Sequence, residues 1–163
     1  MRPVSQNVRA HMNNMEWTES QFDEISWHDN TVHGLSIREG KDGVGEFELD
    51  IDHILEWLEP KDGFYRYMLA PASLVFHDVC DLVMNLNYKE PTAGFTPFSI
   101  SQIERAEIIY PNGFKTHTWK IGINWPNGFI EFQASGFTQK LRSSPIESDN
   151  QSLRGSERYA IKP

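Results

Sequence analysis

A single cysteine, Cys80, stands in a chain of 163 residues, so no intramolecular disulfide can form and the fold must hold by packing alone. That usage suits a reducing cytosol. The opening stretch MRPVSQNVRAHMNNMEW contains no apolar run of the length a signal peptide or a membrane span needs, so the chain reads as cytoplasmic and without a membrane partner. Catalytic signatures are equally scarce. There is no HxH, HExxH or CxxC spacing for a metal, and no GxSxG elbow for a nucleophilic serine. Cys80 follows Val79 in an apolar setting where thiols are usually inert. The glycines of GKDGVG (40–45) belong to a turn rather than to the start of a helix, which removes the basis for a phosphate-binding loop. No cofactor is expected.

Positive charge is scarce where it would matter most. The net charge of −8 is unevenly distributed, because residues 1–65 carry 14 acids against 5 bases, while residues 66–163 carry 9 acids against 10 bases. Clustered Lys and Arg are what phosphate contacts require, so nucleic acid is an unsuitable partner. A basic protein or a cation fits the acidic half better, and solubility alone also accounts for it.

What the sequence has in quantity is turn chemistry. YPNGF (110–114) recurs as WPNGF (125–129), and GKDGV (40–44) and PKDGF (60–64) add two Asp-Gly turns. Proline presets φ at the first turn position and Asx-Gly tolerates positive φ, so each is read as a tight hairpin connection. Between these turns, apolar and polar residues alternate with period two. His33, Leu35 and Ile37 share one face opposite Ser36 and Arg38. Phe47, Leu49 and Ile51 oppose Glu46, Glu48, Asp50 and Asp52. Trp119, Ile121, Ile123 and Trp125 oppose Thr116, Thr118 and Lys120.

Strands are predicted near 31–39, 44–53, 64–70, 73–79, 81–88, 102–110, 115–125 and 128–136. HILEWLEP (53–60) reads either as one helical turn or as a bulged strand end, and SQFDEISWHD as a short helix. The expected fold is mainly β, an antiparallel β-sandwich or open barrel of about eight strands with a short N-terminal helix. Residues 1–24 form a partly loose N-terminal segment, 25–137 the β domain, and 138–163 a polar C-terminal arm whose Leu141, Ile146, Leu153 and Tyr159 offer anchors to the sheet.

Three patterns are candidates for function. The first is the acidic ladder Glu46, Glu48, Asp50 and Asp52, spaced by about 6.6–6.8 Å on one strand face and continued by Glu56 and Glu59, with Trp57 as an aromatic anchor at its edge. Like charges in a row raise one another's pKa, so compensation is required from Arg38, from the basic tail or from a basic partner. The second is the pairing of histidine with aspartate at His28-Asp29, Asp52-His53 and His77-Asp78. If His28, Asp29, His77 and Asp78 converge in a concave pocket, they form a metal or acid/base site. Otherwise His77 and Asp78 mark a strand end entering a turn. The third is WHDN (27–30), in which Trp27 plugs the end of the barrel or lines a pocket mouth while Asp29 caps a turn. An exposed strand edge or aromatic patch also leaves homo-oligomerisation open.

WHDNTVHGLSI, the acidic strand GEFELDID and the central LVFHDVCDLVMNLNY together resemble a group of small bacterial proteins of unknown function, some of them labelled immunity proteins, the antidotes to polymorphic toxins. The resemblance spans roughly residues 25–137. It implies a bacterial, non-enzymatic, protein-binding role and carries over no catalytic residue. An acidic face that blocks a basic toxin groove is consistent with that role.

Overall fold

A computed structural model describes residues 15–89 and 94–160. The elements run in chain order as β1 (Glu16–Thr18), a 3₁₀ turn (Glu19–Glu24), β2 (Thr31–Glu39), β3 (Gly45–Lys61), β4 (Phe64–His77), β5 (Cys80–Leu86), β6 (Phe98–Ile109), β7 (Lys115–Trp125), β8 (Gly128–Ala134), β9 (Gly136–Leu141), β10 (Ile146–Ser148) and α1 (Gly155–Ala160). No helix among the described residues is long and apolar enough to cross a membrane.

The turns do what their residues dictate. Asp62 and Gly63 both take positive φ, 56° and 82°, as a two-residue connection between twisted strands requires, and they close the β3–β4 hairpin. In YPNGF, Gly113 has φ 83° and the Tyr110 amide donates to Phe114 O at 2.8 Å, which joins β6 to β7. The second copy, WPNGF, joins β7 to β8, and its Trp125–Pro126 bond is cis.

All strands pair antiparallel in the order β1-β9-β4-β3-β2-β6-β7-β8-β5, with β10 added to β4. The β2–β6 seam is only two residue pairs wide, Thr31 with Ser99 and Val32 with Phe98. The sheet doubles over at this seam. Phe47 on β3 meets Phe132 on β8 with ring centroids 5.5 Å apart, although the two strands lie four places apart in the sheet. Phe76 on β4 meets Trp119 and Phe132 at 5.2 and 4.7 Å. Each such ring, withdrawn from water, stabilises the fold by about 1.5–3 kcal/mol. The sheet remains open, with β1 and β5 at its ends, which is the mainly β, open architecture that the alternation and turns predict.

Two of the predicted strands, 64–70 and 73–79, are one strand, β4. Pro71 does not break it, for a reason visible in the pairing. Its carbonyl accepts the Arg142 amide at 2.8 Å, so the side of β4 on which an N–H is missing is the β9 side. There Pro71 falls between the β9 ladder (Ala72 to His77) and the β10 ladder (Tyr67 to Leu69), where no ladder donor is required. The segment after Asp52 is a bulged strand, with register shifts at Ile54/Glu56 and Leu58/Lys61.

Both ends of the described chain join the sheet. Trp17 of β1 is buried in the main core, and β1 pairs with β9, which itself spans the expected start of the arm at residue 138. Of the segment 1–24, expected to be partly loose, residues 1–14 lie outside the described residues, and Glu16–Thr18 and Glu19–Glu24 form β1 and the 3₁₀ turn. The 3₁₀ turn occupies the expected helical site, and the Thr18 amide donates to Gln21 Oε1 at 3.2 Å. Beyond β9 the chain crosses the outer face of β3 and β4. Leu153 is buried against Ile54, Tyr67 and Leu69 with Ile146 beside them, forming a second, smaller core on the opposite side of the sheet from the first.

Candidate protein-binding surface

The alternation in GEFELDID sorts as expected, with Phe47, Leu49 and Ile51 fully buried and the four carboxylates on the other face. Arg38 lies directly opposite Glu46 in the β2–β3 register. Its Nε donates to Glu46 Oε2 at 2.9 Å and its Nη1 lies 2.7 Å from Glu48 Oε2. The hydrogen bond to Glu46, and then the charge of Glu48, raise the Arg38 pKa; the same bond, opposed by desolvation and helped by His77, lowers that of Glu46. His77 bridges Glu46 Oε1 at 3.2 Å and Thr138 Oγ1 at 2.9 Å.

The lower half of the ladder is held by the C-terminal segment. Asp50 pairs with Arg142, just past β9, and with Arg158 on α1. Asp52 is fully buried. It accepts the Leu153 amide at 2.8 Å and the Ser152 hydroxyl at 3.3 Å, pairs with Arg158, and lies 2.7 Å from His33 Nε2. A buried carboxylate demands such a set of partners. Asp52 is therefore withdrawn from any contact surface, a correction to its place in the ladder, because the arm closes over it.

His33 reaches Asp52 only because β2 is bulged. Val32 pairs with Ile51 and Gly34 with Asp50, leaving His33 as the extra residue. The expected shared face of His33, Leu35 and Ile37 is corrected accordingly: Val32 enters the core and His33 turns to the outer side. Ser152, His33 and Asp52 do not form a catalytic triad. The serine and aspartate oxygens both address Nε2 of the imidazole, whereas a relay needs one on each ring nitrogen.

The flank of the ladder is different. Trp57 is 44% exposed and stands edge-on to Tyr67 and Tyr65, with ring centroids 5.0 and 6.0 Å away. Tyr65 is also exposed, and Phe64, at the tip of the hairpin, is 77% exposed. Beside these rings stand Glu56, Glu59 and Asp62, none of which has a cationic partner among the described side chains, a set that does not include Lys61. The sequence marked Glu56, Trp57 and Glu59. It did not mark Phe64 and Tyr65, although their place after an Asp-Gly turn was a usable signal.

His28, Asp29, His77 and Asp78 do not converge. His28 Nδ1 lies 3.1 Å from Asp29 Oδ2, and Asp29 is further held by Asn124 and Gln151. Asp78 instead accepts from Ser135. Thr31 lies opposite Asp52, and Asp52 opposite Pro71, six residues short of His77. At about 3.3 Å per residue, the two pairs sit about 20 Å apart. Among the described residues, no three His, Cys, Asp or Glu side chains are grouped to hold a metal ion. His53 turns to the inner side, where its Nδ1 meets Asn30 Nδ2 at 2.9 Å. Trp27 is buried, and its indole donates to Gln139 Oε1 at 2.7 Å, while Asp29 lines a pocket. Cys80 is exposed, and desolvation followed by the charge of Asp81 pushes its thiol up.

No family model, no curated protein and no solved structure matches the chain.

Proposed function

We propose that this chain is a non-enzymatic, cytosolic protein-binding module of bacterial, antitoxin-like type, which presents the tip of the β3–β4 hairpin to a basic partner. The observation that carries the reading is the pairing of exposed rings, Trp57, Phe64 and Tyr65, with acids that have no cationic partner among the described side chains, Glu56, Glu59 and Asp62. Aromatic anchors supply binding energy when a partner desolvates them. Unpaired carboxylates around them select a cationic surface and speed encounter with it. Glu46, Glu48 and Asp50 keep partial exposure and extend the negative field behind the tip, although each is already paired within the chain.

The test is growth rescue in cells that express the product of the gene adjacent to the one encoding this chain. The unaltered chain restores growth; Trp57→Ala and the pair Glu56→Lys with Glu59→Lys lose that ability while melting temperature is unchanged. Rescue by both variants at the level of the unaltered chain refutes the assignment of the tip. A second contact is favoured by one observation. Pairing of β2 with β6 stops at Val32, so among the described residues the edge from Gly34 to Glu39 has only β3 hydrogen-bonded along it, and Ile37 is 63% exposed there. Self-association through this edge predicts a dimer mass in light scattering that Ile37→Lys returns to monomer.

A further inference from the structure

Three segments far apart in the chain meet in an open pocket of about 500 Å³. The turn before β2 contributes Asp29 and the first residue of β2 Thr31, the start of β6 and the end of β7 contribute Ser99 and Trp125, and the C-terminal arm contributes Asn150 and Arg154. The size is that of a small-molecule site. Three features specify its chemistry.

Trp125 is 49% exposed and forms an indole wall. An exposed aromatic face of this kind receives a flat apolar surface such as the C–H face of a pyranose. Asp29 is held in left-handed backbone geometry, φ 62°, and its carboxylate is fixed by Asn124 Nδ2 at 2.7 Å, His28 Nδ1 at 3.1 Å and Gln151 Nε2 at 3.2 Å. An ionised carboxylate has about four acceptor positions and the two amides occupy two of them, which leaves room for a hydroxyl donor. Arg154 lines the same pocket and has no ion-pair partner among the described residues, which leaves a fork of donors that matches a carboxylate or phosphate.

From the convergence of an indole face, a fixed carboxylate with open acceptor positions and a guanidinium that has no ion-pair partner among the described residues, we propose that this pocket binds an anionic saccharide. The sugar ring lies on Trp125, a ring hydroxyl donates to Asp29, and the acidic substituent pairs with Arg154. Thr31, Ser99 and Asn150 meet the remaining hydroxyls. A sugar acid and a sugar phosphate share this chemistry. No lining residue is shared with the hairpin tip, although His28 stands between the two, 3.1 Å from Asp29 and with its ring centroid 6.4 Å from that of Trp57.

The test is a titration of the isotopically labelled full chain, followed by two-dimensional NMR, with glucuronate, glucose 6-phosphate and glucose in turn. Saturable shifts centred on the Trp125 indole and the arm amides are expected. At least one anionic sugar should bind more tightly than glucose, and which one does identifies the acidic group. Arg154→Gln, an exposed position, should weaken that anionic sugar by roughly tenfold, the contribution of one charge-assisted hydrogen bond, and leave glucose unchanged. Trp125→Ala should abolish all binding. Three results overturn the proposal: no saturable shift with any of the three sugars, an anionic affinity unmoved by Arg154→Gln, or tighter binding of adenosine 5′-monophosphate than of either anionic sugar, which makes the pocket a nucleotide site.

Discussion

Replacing Arg158 with alanine removes one side of the cage around Asp52, and the cost follows from the burial of both partners. The Asp52 side chain has no exposure, and that of Arg158 is 9% exposed. Breaking a buried ion pair from one side costs about 3–5 kcal/mol, because the remaining charge is left without compensation. Here the Leu153 amide, the Ser152 hydroxyl and His33 remain on Asp52, which places the expected loss at the lower end, about 3 kcal/mol. At about 2–4 °C per kcal/mol for a chain of this size, the melting temperature falls by roughly 6–12 °C. Arg142 is the internal control. It also pairs with Asp50 but is 44% exposed, so Arg142→Ala costs within about 1 kcal/mol. Thermal unfolding followed by circular dichroism compares the two. Equal losses, or an Arg158→Ala variant as stable as the unaltered chain, refute the view that the arm holds a buried carboxylate rather than resting on a solvated face.

Three further outcomes follow from the same geometry. The folded chain holds Glu46 below its ordinary pKa of 4.5, chiefly through Arg38, so its contribution is complete above that value and is lost as pH falls through the lowered one; urea unfolding across this window should show a smaller acid loss in Arg38→Ala, and parallel curves for the two proteins contradict this. Phe132 packs on Phe47 and Phe76 with 1% exposure, so Phe132→Ala costs about 3–5 kcal/mol, whereas Phe64→Ala at the exposed tip stays within about 0.5 kcal/mol; denaturant midpoints decide. Cys80, exposed but with its thiol raised above the ordinary 9.0, should react slowly with iodoacetamide at neutral pH and accelerate well into the alkaline range; rapid neutral labelling argues against it.

The hairpins were legible because turn chemistry and period-two alternation are local. β2 and β7 occupy 31–39 and 115–125, as the pattern places them. β9 was harder to read. Its buried faces are Phe137, Gln139 and Leu141, and the polar amide at the centre hides an inward position; the bond from Trp27 satisfies its oxygen, while its Nε2 has no partner among the described residues. β1 and β10, three residues each, carry too little pattern to register. The outward side of the acidic ladder was evident from GEFELDID. Its need for compensation was evident too, with Arg38 and the basic tail both named as sources. What no local signal shows is that Arg158, 106 residues from Asp52, closes on it, or that a bulge turns His33 to the same oxygen. Both depend on the sheet doubling over and on the path of the arm, which are long-range consequences of packing.

The most direct test is hydrogen exchange at one amide. In this structure the Leu153 N–H is buried and donates to Asp52 Oδ2, so it should exchange orders of magnitude more slowly than an unstructured amide and lose that protection in Arg158→Ala. Exchange of the Leu153 amide at the unprotected rate in the unaltered chain contradicts the claim that the C-terminal arm seals Asp52 and withdraws it from the acidic ladder.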